Sequence, residues 1–171
     1  MKKITSFIAT VTLTIAFSAT ASAQVTASAP TTATVVAPIS ILKVTDMSFG
    51  NVAVSSTLGT AVLLPASTRT KTGGVTLPGT TGTVTAASFT IGGDSNYTFV
   101  ITLPTTDFTI TKATTNETMI VNAFNSTPSG TGALVTGAAT VLVGATLNVG
   151  GAQVAGIYAN AAGFPVTVNY N

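Results

Sequence analysis

Alternation of apolar and polar residues constrains the fold of this chain more than any other feature. Near the C-terminus every second residue is apolar: Phe164, Val166, Val168 and Tyr170. A period of two places such residues on one face of a β-strand. The pattern recurs over residues 97–103, 108–111 and 140–149, and no stretch of the mature chain keeps helical spacing. Thr and Val are abundant and favour strands.

Turn signals separate the alternating runs, at residues 72–74, 77–82, 92–96 and 126–132. Short strands at this spacing predict a single all-β domain, an antiparallel immunoglobulin-like β-sandwich. A transmembrane barrel would alternate similarly, but it also requires aromatic girdles and strands of about 9–11 residues. Because the few aromatic residues do not cluster at strand ends, we favour the sandwich.

The first 23 residues have the composition of an export signal. Lys2 and Lys3 precede an apolar stretch over residues 4–17, and "ATASA" ends in a small-x-small cleavage pattern. We expect cleavage between Ala23 and Gln24, passage through the periplasm, and a final location at the cell surface or outside the cell. The predicted organisation is a signal peptide over 1–23, an extension over 24–32 and a sandwich over 33–171, with no membrane span after cleavage.

The mature chain is nearly uncharged. Two of the six basic residues lie in the signal, which leaves four basic and four acidic residues. Four scattered cations cannot neutralise a run of phosphates, so we expect no nucleic-acid partner. A neutral surface gives little repulsion between copies, which favours a protein that packs against others.

The sequence lacks the residues that most catalytic sites need. It contains no Cys and no His, so nucleophiles of the Ser or Cys type lack their usual base, and transition metals lack their usual ligands. Asp94, Asp107 and Glu117 could act as paired carboxylates in glycoside hydrolysis, but turns favour Asp at the first two positions. We therefore predict a protein that is not an enzyme, with no catalytic, cofactor or metal site, and keep a carboxylate hydrolase as the weaker alternative.

Both ends of the mature chain alternate. At the N-terminal end the apolar residues at alternate positions include Val25, Ala27, Ala29, Val35, Ile39 and Ile41. The C-terminal run 166–171 has no charge to protect a strand edge, so it favours the addition of another strand. The alternative is that a strand of the same molecule covers it.

The stretches "ATVVAPISILKVTDMSFGNV" and "GIYANAAGFPVTVNYN" resemble a bacterial secreted family, DUF4402, which is similar in turn to spore-coat-U and archaic chaperone-usher pilins. The resemblance implies an incomplete sandwich that receives the N-terminal extension of another copy or of a related subunit. It also implies a periplasmic chaperone and an outer-membrane usher as partners. We thus expect a structural subunit of a surface filament; the alternative is a self-contained adhesin or biofilm-matrix domain.

The length of the donated segment is open at this point. Residues 24–32 alone offer Val25, Ala27 and Ala29, which is little apolar surface against the cost of ordering the chain. A donor that continues through Val35 to Ile41 would bind more strongly, but those residues could not then serve their own domain.

Overall fold

The computed structural model describes residues 24–171; the predicted signal peptide, residues 1–23, lies outside them. The chain divides into two units, Met1–Thr34 and Val35–Asn171. In the first unit, residues 24–34 form no strand and are exposed.

The second unit is built from β-strands. In chain order they are β1 Ser40–Thr45, β2 Ala53–Leu63, β3 Arg69–Thr76, β4 Ala87–Gly92, β5 Thr98–Thr102, β6 Phe108–Lys112, β7 Thr118–Thr127, β8 Thr131–Ala133, β9 Ala138–Val149, β10 Tyr158–Ala159 and β11 Thr167–Tyr170. The larger sheet follows the order β1-β4-β9-β7-β6-β10, with β2 and β3 joined to it through β9, and the smaller follows β11-β5-β8. All strand pairs are antiparallel. The predicted fold class is confirmed: the chain is all-β with antiparallel sheets in a sandwich-like arrangement.

Strand β9 is the axis of the larger sheet. One edge pairs with β7; the other pairs first with β4, up to Val143, and then with β2, from Ala145. Gly144 lies where the partner changes, and a Cβ there would be 2.2 Å from the Leu63 carbonyl oxygen. Its twelve residues span about 36 Å at a strand's rise. We call the end at Ala138 the upper end and the end at Val149 the lower end.

Alternate residues of β9 are buried, as the periodicity predicts, and they contribute to two cores. The upper core contains residues from both sheets: Ala87, Phe89, Ile91, Phe99, Ile101, Leu134, Val141, Val143 and Val168. The lower core contains no residue of the smaller sheet: Ala61, Val75, Val121, Ala145, Leu147 and Val149. The smaller sheet therefore covers only the upper half of the larger one.

Candidate functional site

The outer edge of β11 has no strand beside it among residues 24–171. β11 is the terminal strand of its sheet and pairs only with β5. The Asn171 N–H donates to the Thr98 carbonyl at 3.1 Å, and hydrogen-bonded pairs alternate along an antiparallel ladder. The main-chain groups of Asn169 therefore face β5, whereas those of Val168 and Tyr170 face away from it. This edge offers unpaired donors and acceptors.

The side chains of β11 face inward, toward the core. Val168 belongs to the upper core, and Phe164, Val166 and Tyr170 pack against it. The Phe164 ring lies 4.8 Å from that of Phe124 between centroids. Of the residues predicted for strand addition, all four side chains thus serve their own domain. A neighbouring strand beside β11 would meet their backbone.

A groove of about 1140 Å³ with an apolar floor lies over the lower half of the larger sheet. Its walls are residues 43–54 on one side and residues 153–164 on the other. The floor is made by side chains of the larger sheet: Ala87, Phe89, Phe108, Ile110, Met119, Val121, Leu147 and Val149. The groove lies where the smaller sheet does not cover the lower core.

Separate hydrogen bonds hold the two walls. In the first wall, Ser48 and Thr85 exchange main-chain bonds of 2.8 and 3.0 Å, and the Arg69 guanidinium donates to the carbonyls of Phe49 and Asn51. In the second wall, β10 pairs with β6, and the Asn160 amide donates to the Thr109 carbonyl at 2.9 Å. Each wall is thus tied to residues outside the groove by bonds of its own.

Near Tyr170, three hydrogen bonds form a closed ring. The Ala37 N–H donates to the Asp94 carboxylate at 2.8 Å, the Asp94 N–H donates to the Tyr170 hydroxyl at 2.8 Å, and that hydroxyl donates to the Ala37 carbonyl at 2.8 Å. β1 and β11 also approach within 8 Å between Cα atoms. An inserted strand needs about 4.8 Å on each side, so there is no room for one where they approach so closely.

The predicted donor residues are placed in two environments. Val25, Ala27, Ala29 and Val35 are exposed and belong to no strand. Ile39, in contrast, packs against the upper core, and Ile41 lies in β1, where it pairs with Ile91 of β4. In this structure the part of the extension that remains free ends before Ala37.

The three acidic residues considered for hydrolysis have separate local partners. Asp94 belongs to the ring with Ala37, Asp107 accepts from the Asn122 amide at 2.9 Å, and Glu117 accepts from the Thr115 hydroxyl. The hydrogen bond from Thr115 is the main cause that lowers the pKa of the exposed Glu117 carboxyl. Within residues 24–171 no three Asp, Glu, His or Cys side chains form a group that could hold a metal ion.

Sequence reasoning missed two parts of the site. It assigned Asp94 only to a turn, and it did not identify residues 43–54 and 153–164 as facing walls. Tyr170 carried a usable signal, because a tyrosine on the inner face of a strand usually finds a partner for its hydroxyl.

A family model covers most of the chain. The model described as domain of unknown function (DUF4402) matches residues 39–170. The chain belongs to the DUF4402 family. No curated protein and no solved structure matches it. In this DUF4402 protein, residues 24–171 include no helix long and apolar enough to cross a membrane.

The match spans the site described above. It begins at Ile39, where the extension joins the upper core, and ends at Tyr170. It therefore includes β11, both walls of the groove and two members of the ring, Asp94 and Tyr170, and it leaves out residues 24–38.

Proposed function

We propose that this DUF4402 protein is a non-catalytic structural subunit of an extracellular filament that assembles by β-strand addition. The extension of one copy pairs with the outer edge of β11 in the next copy, where β1 must move away from β11 to admit it, and its apolar side chains enter the groove. The observation that carries this proposal is that one molecule holds an unpaired strand edge, a groove with an apolar floor that reaches Phe164, three residues before β11, and an unpaired alternating segment.

The donor in this proposal is the extension before Ala37. Its odd-numbered positions are mostly apolar: Val25, Ala27, Ala29, Ala33 and Val35. Burying a Val side chain contributes about 1.5–3 kcal/mol, while each ordered residue costs about 1–2 kcal/mol. With only two Val on the apolar side, main-chain hydrogen bonds to β11 must supply part of the affinity. Assembly is thus expected to be reversible rather than permanent.

The same edge would be exposed during export. A periplasmic chaperone that adds a strand to β11 would block premature assembly, and an outer-membrane usher would exchange that strand for the extension of the next subunit. These partners belong to the proposal because an unprotected edge strand promotes aggregation.

A specific observation favours a second candidate, a self-contained secreted adhesin or matrix domain. The upper core is closed without any donor, and none of the buried side-chain N or O atoms among the described residues lacks a hydrogen-bond partner. Under this alternative the groove binds a ligand instead of a strand. Removing residues 24–32 would then leave a soluble monomer whose cooperative melting is unchanged.

Two substitutions of Val168 test strand addition. Val168→Ala removes core packing only, whereas Val168→Pro also removes the N–H that faces the open edge. The mature protein would be compared by sedimentation in native buffer and by negative stain. We expect high-mass species and fibres with Val168→Ala and their loss with Val168→Pro. A single monomeric species in native buffer and no fibres for the unsubstituted protein would reject the proposal.

A further inference from the structure

Both ends of the sandwich carry exposed apolar side chains. The upper set is Val35, Tyr97 and Val135, of which Val35 and Val135 are 95% and 70% exposed. The lower set is Leu58, Val154 and Ile157, of which Leu58 and Ile157 are 70% and 86% exposed. Other exposed apolar side chains, such as Leu42 and Val44, lie along β1. The two sets at the ends call for an explanation of their own, because exposed apolar groups gathered at one site often mark an interaction surface.

Backbone contacts place the upper set around the start of β9. Val135 bridges to Ala138, the first residue of β9, and the Leu134 N–H donates to the Tyr97 carbonyl at 2.8 Å. Val35 lies two residues before Ala37, which the ring fixes to Asp94. The upper set therefore surrounds the root of the free extension.

Backbone contacts place the lower set around the end of β9. Val149 pairs with Gly59, next to Leu58, and the Ala152 N–H donates to the Ser55 carbonyl at 2.8 Å. Val154 and Ile157 line the groove. The lower set therefore surrounds the mouth of the groove.

We propose that the upper set of one copy docks on the lower set of the next copy, so that subunits stack head to tail. This inference rests on the proposed function. When the extension of one copy enters the groove of a neighbour, the upper end of its own domain, where the extension begins, comes to lie at the mouth of that groove. β11 runs toward the upper end, so an extension that enters from below pairs with it antiparallel. Because the two surfaces differ, each copy in a stack still has one surface free for a further copy. The contact therefore repeats along a filament and does not stop at a dimer.

The chemistry of the two ends supports a contact between copies. The upper set lies beside one charged residue, Asp94, whose carboxylate already accepts a hydrogen bond. Six side chains are too few for the roughly 1,200 Å² that a stable interface buries. The ends therefore orient subunits that strand addition links, and they do not associate without it.

Engineered cysteines test this contact, because the natural chain has none. The mature protein would carry Val135→Cys with Ile157→Cys and be treated with a short bis-maleimide after assembly. The control carries Val135→Cys with Leu64→Cys, since Leu64 is exposed but follows Leu63, which pairs with Ala145 halfway along β9. Filaments are scored separately by negative stain.

We expect a ladder of covalent oligomers from the Val135/Ile157 variant, at least tenfold stronger than from the control, and no more than dimers from either single variant. Filaments with no excess of cross-linking over the control would overturn the head-to-tail contact and leave strand addition standing. The absence of filaments in all variants and in the unsubstituted protein would overturn both.

Discussion

The hydroxyl of Tyr170 donates a 2.8 Å hydrogen bond to the carbonyl of Ala37, 133 positions earlier in the chain. Asp94 completes the ring from the turn between β4 and β5. The bond ties the end of β11 to the residue at which the extension leaves the domain. In the proposed assembly, the ring thus sets how much of the extension one copy donates to the next.

Loss of the Tyr170 hydroxyl should destabilise the domain. Tyr170→Phe removes one donor and one acceptor of the ring, and each such hydrogen bond contributes about 0.5–1.5 kcal/mol. We expect a decrease of about 1–2 kcal/mol in the free energy of unfolding, measured by urea titration. Tyr97→Phe is the matched control because its ring lies 5.4 Å from that of Tyr170 without joining the three bonds; equal losses in the two variants would contradict the role of the ring.

A side chain at position 93 should disrupt the same ring of hydrogen bonds. A Cβ there would lie 2.3 Å from the Tyr170 hydroxyl oxygen and 2.8 Å from Leu134 Cδ1, so Gly93→Ala must displace one of them. Overpacking of this kind typically costs about 1–3 kcal/mol. Gly79→Ala, where no heavy atom lies within 4 Å, serves as the control and should leave the melting temperature within about one degree. Unchanged melting of Gly93→Ala would show that the ring is not tightly packed.

The alternation of apolar and polar side chains along the extension gives a third prediction. Ala29→Val and Ala33→Val add two carbons each on the side that enters the neighbour's groove in the proposed assembly, and each buried carbon contributes about 0.8 kcal/mol. We expect each substitution to tighten assembly about tenfold, measured as the monomer concentration left in equilibrium with filaments. On the opposite side, Ser28→Val adds two carbons in place of a hydroxyl, and Thr32→Val replaces a hydroxyl by a methyl group; both should have little effect. If substitutions on both sides tightened assembly equally, the groove would not distinguish the two faces of the extension.

Assembly should depend weakly on salt. Residues 24–36 contain no charged side chain, and the ion pair on the groove wall, Lys43–Asp46, is exposed, where such pairs contribute about 0–1 kcal/mol. We expect the residual monomer concentration to change less than about threefold between 0.05 and 0.5 M NaCl. A decline in assembly of tenfold or more over this range would show that charge drives the contact.

The strands and their buried faces could be predicted from the sequence because a period of two is a local signal. The inward positions of β9 and β11 follow directly from it, as do the turns at residues 77–82, 92–96 and within 126–132. The turn predicted at residues 72–74 is wrong: these residues lie inside β3, where Gly73 pairs with Gly59 of β2 beside an irregularity in the ladder. The partner change at Gly144 could not be predicted, since nothing local shows which two strands meet beside it. The groove likewise depends on two walls about a hundred residues apart, and the bond between Tyr170 and Ala37 depends on pairing across nearly the whole domain.

Hydrogen exchange at the Val168 and Tyr170 amides is the most direct test of whether a strand adds to the outer edge of β11. Both N–H groups face the open edge, whereas the Asn169 N–H faces β5 and serves as an internal control. Amide exchange of the mature protein would be compared between the monomer and the filament. If the extension pairs with β11, Val168 and Tyr170 exchange rapidly in the monomer and slowly in the filament, while Asn169 is slow in both. Equal exchange of Val168 and Tyr170 in the two states would contradict it.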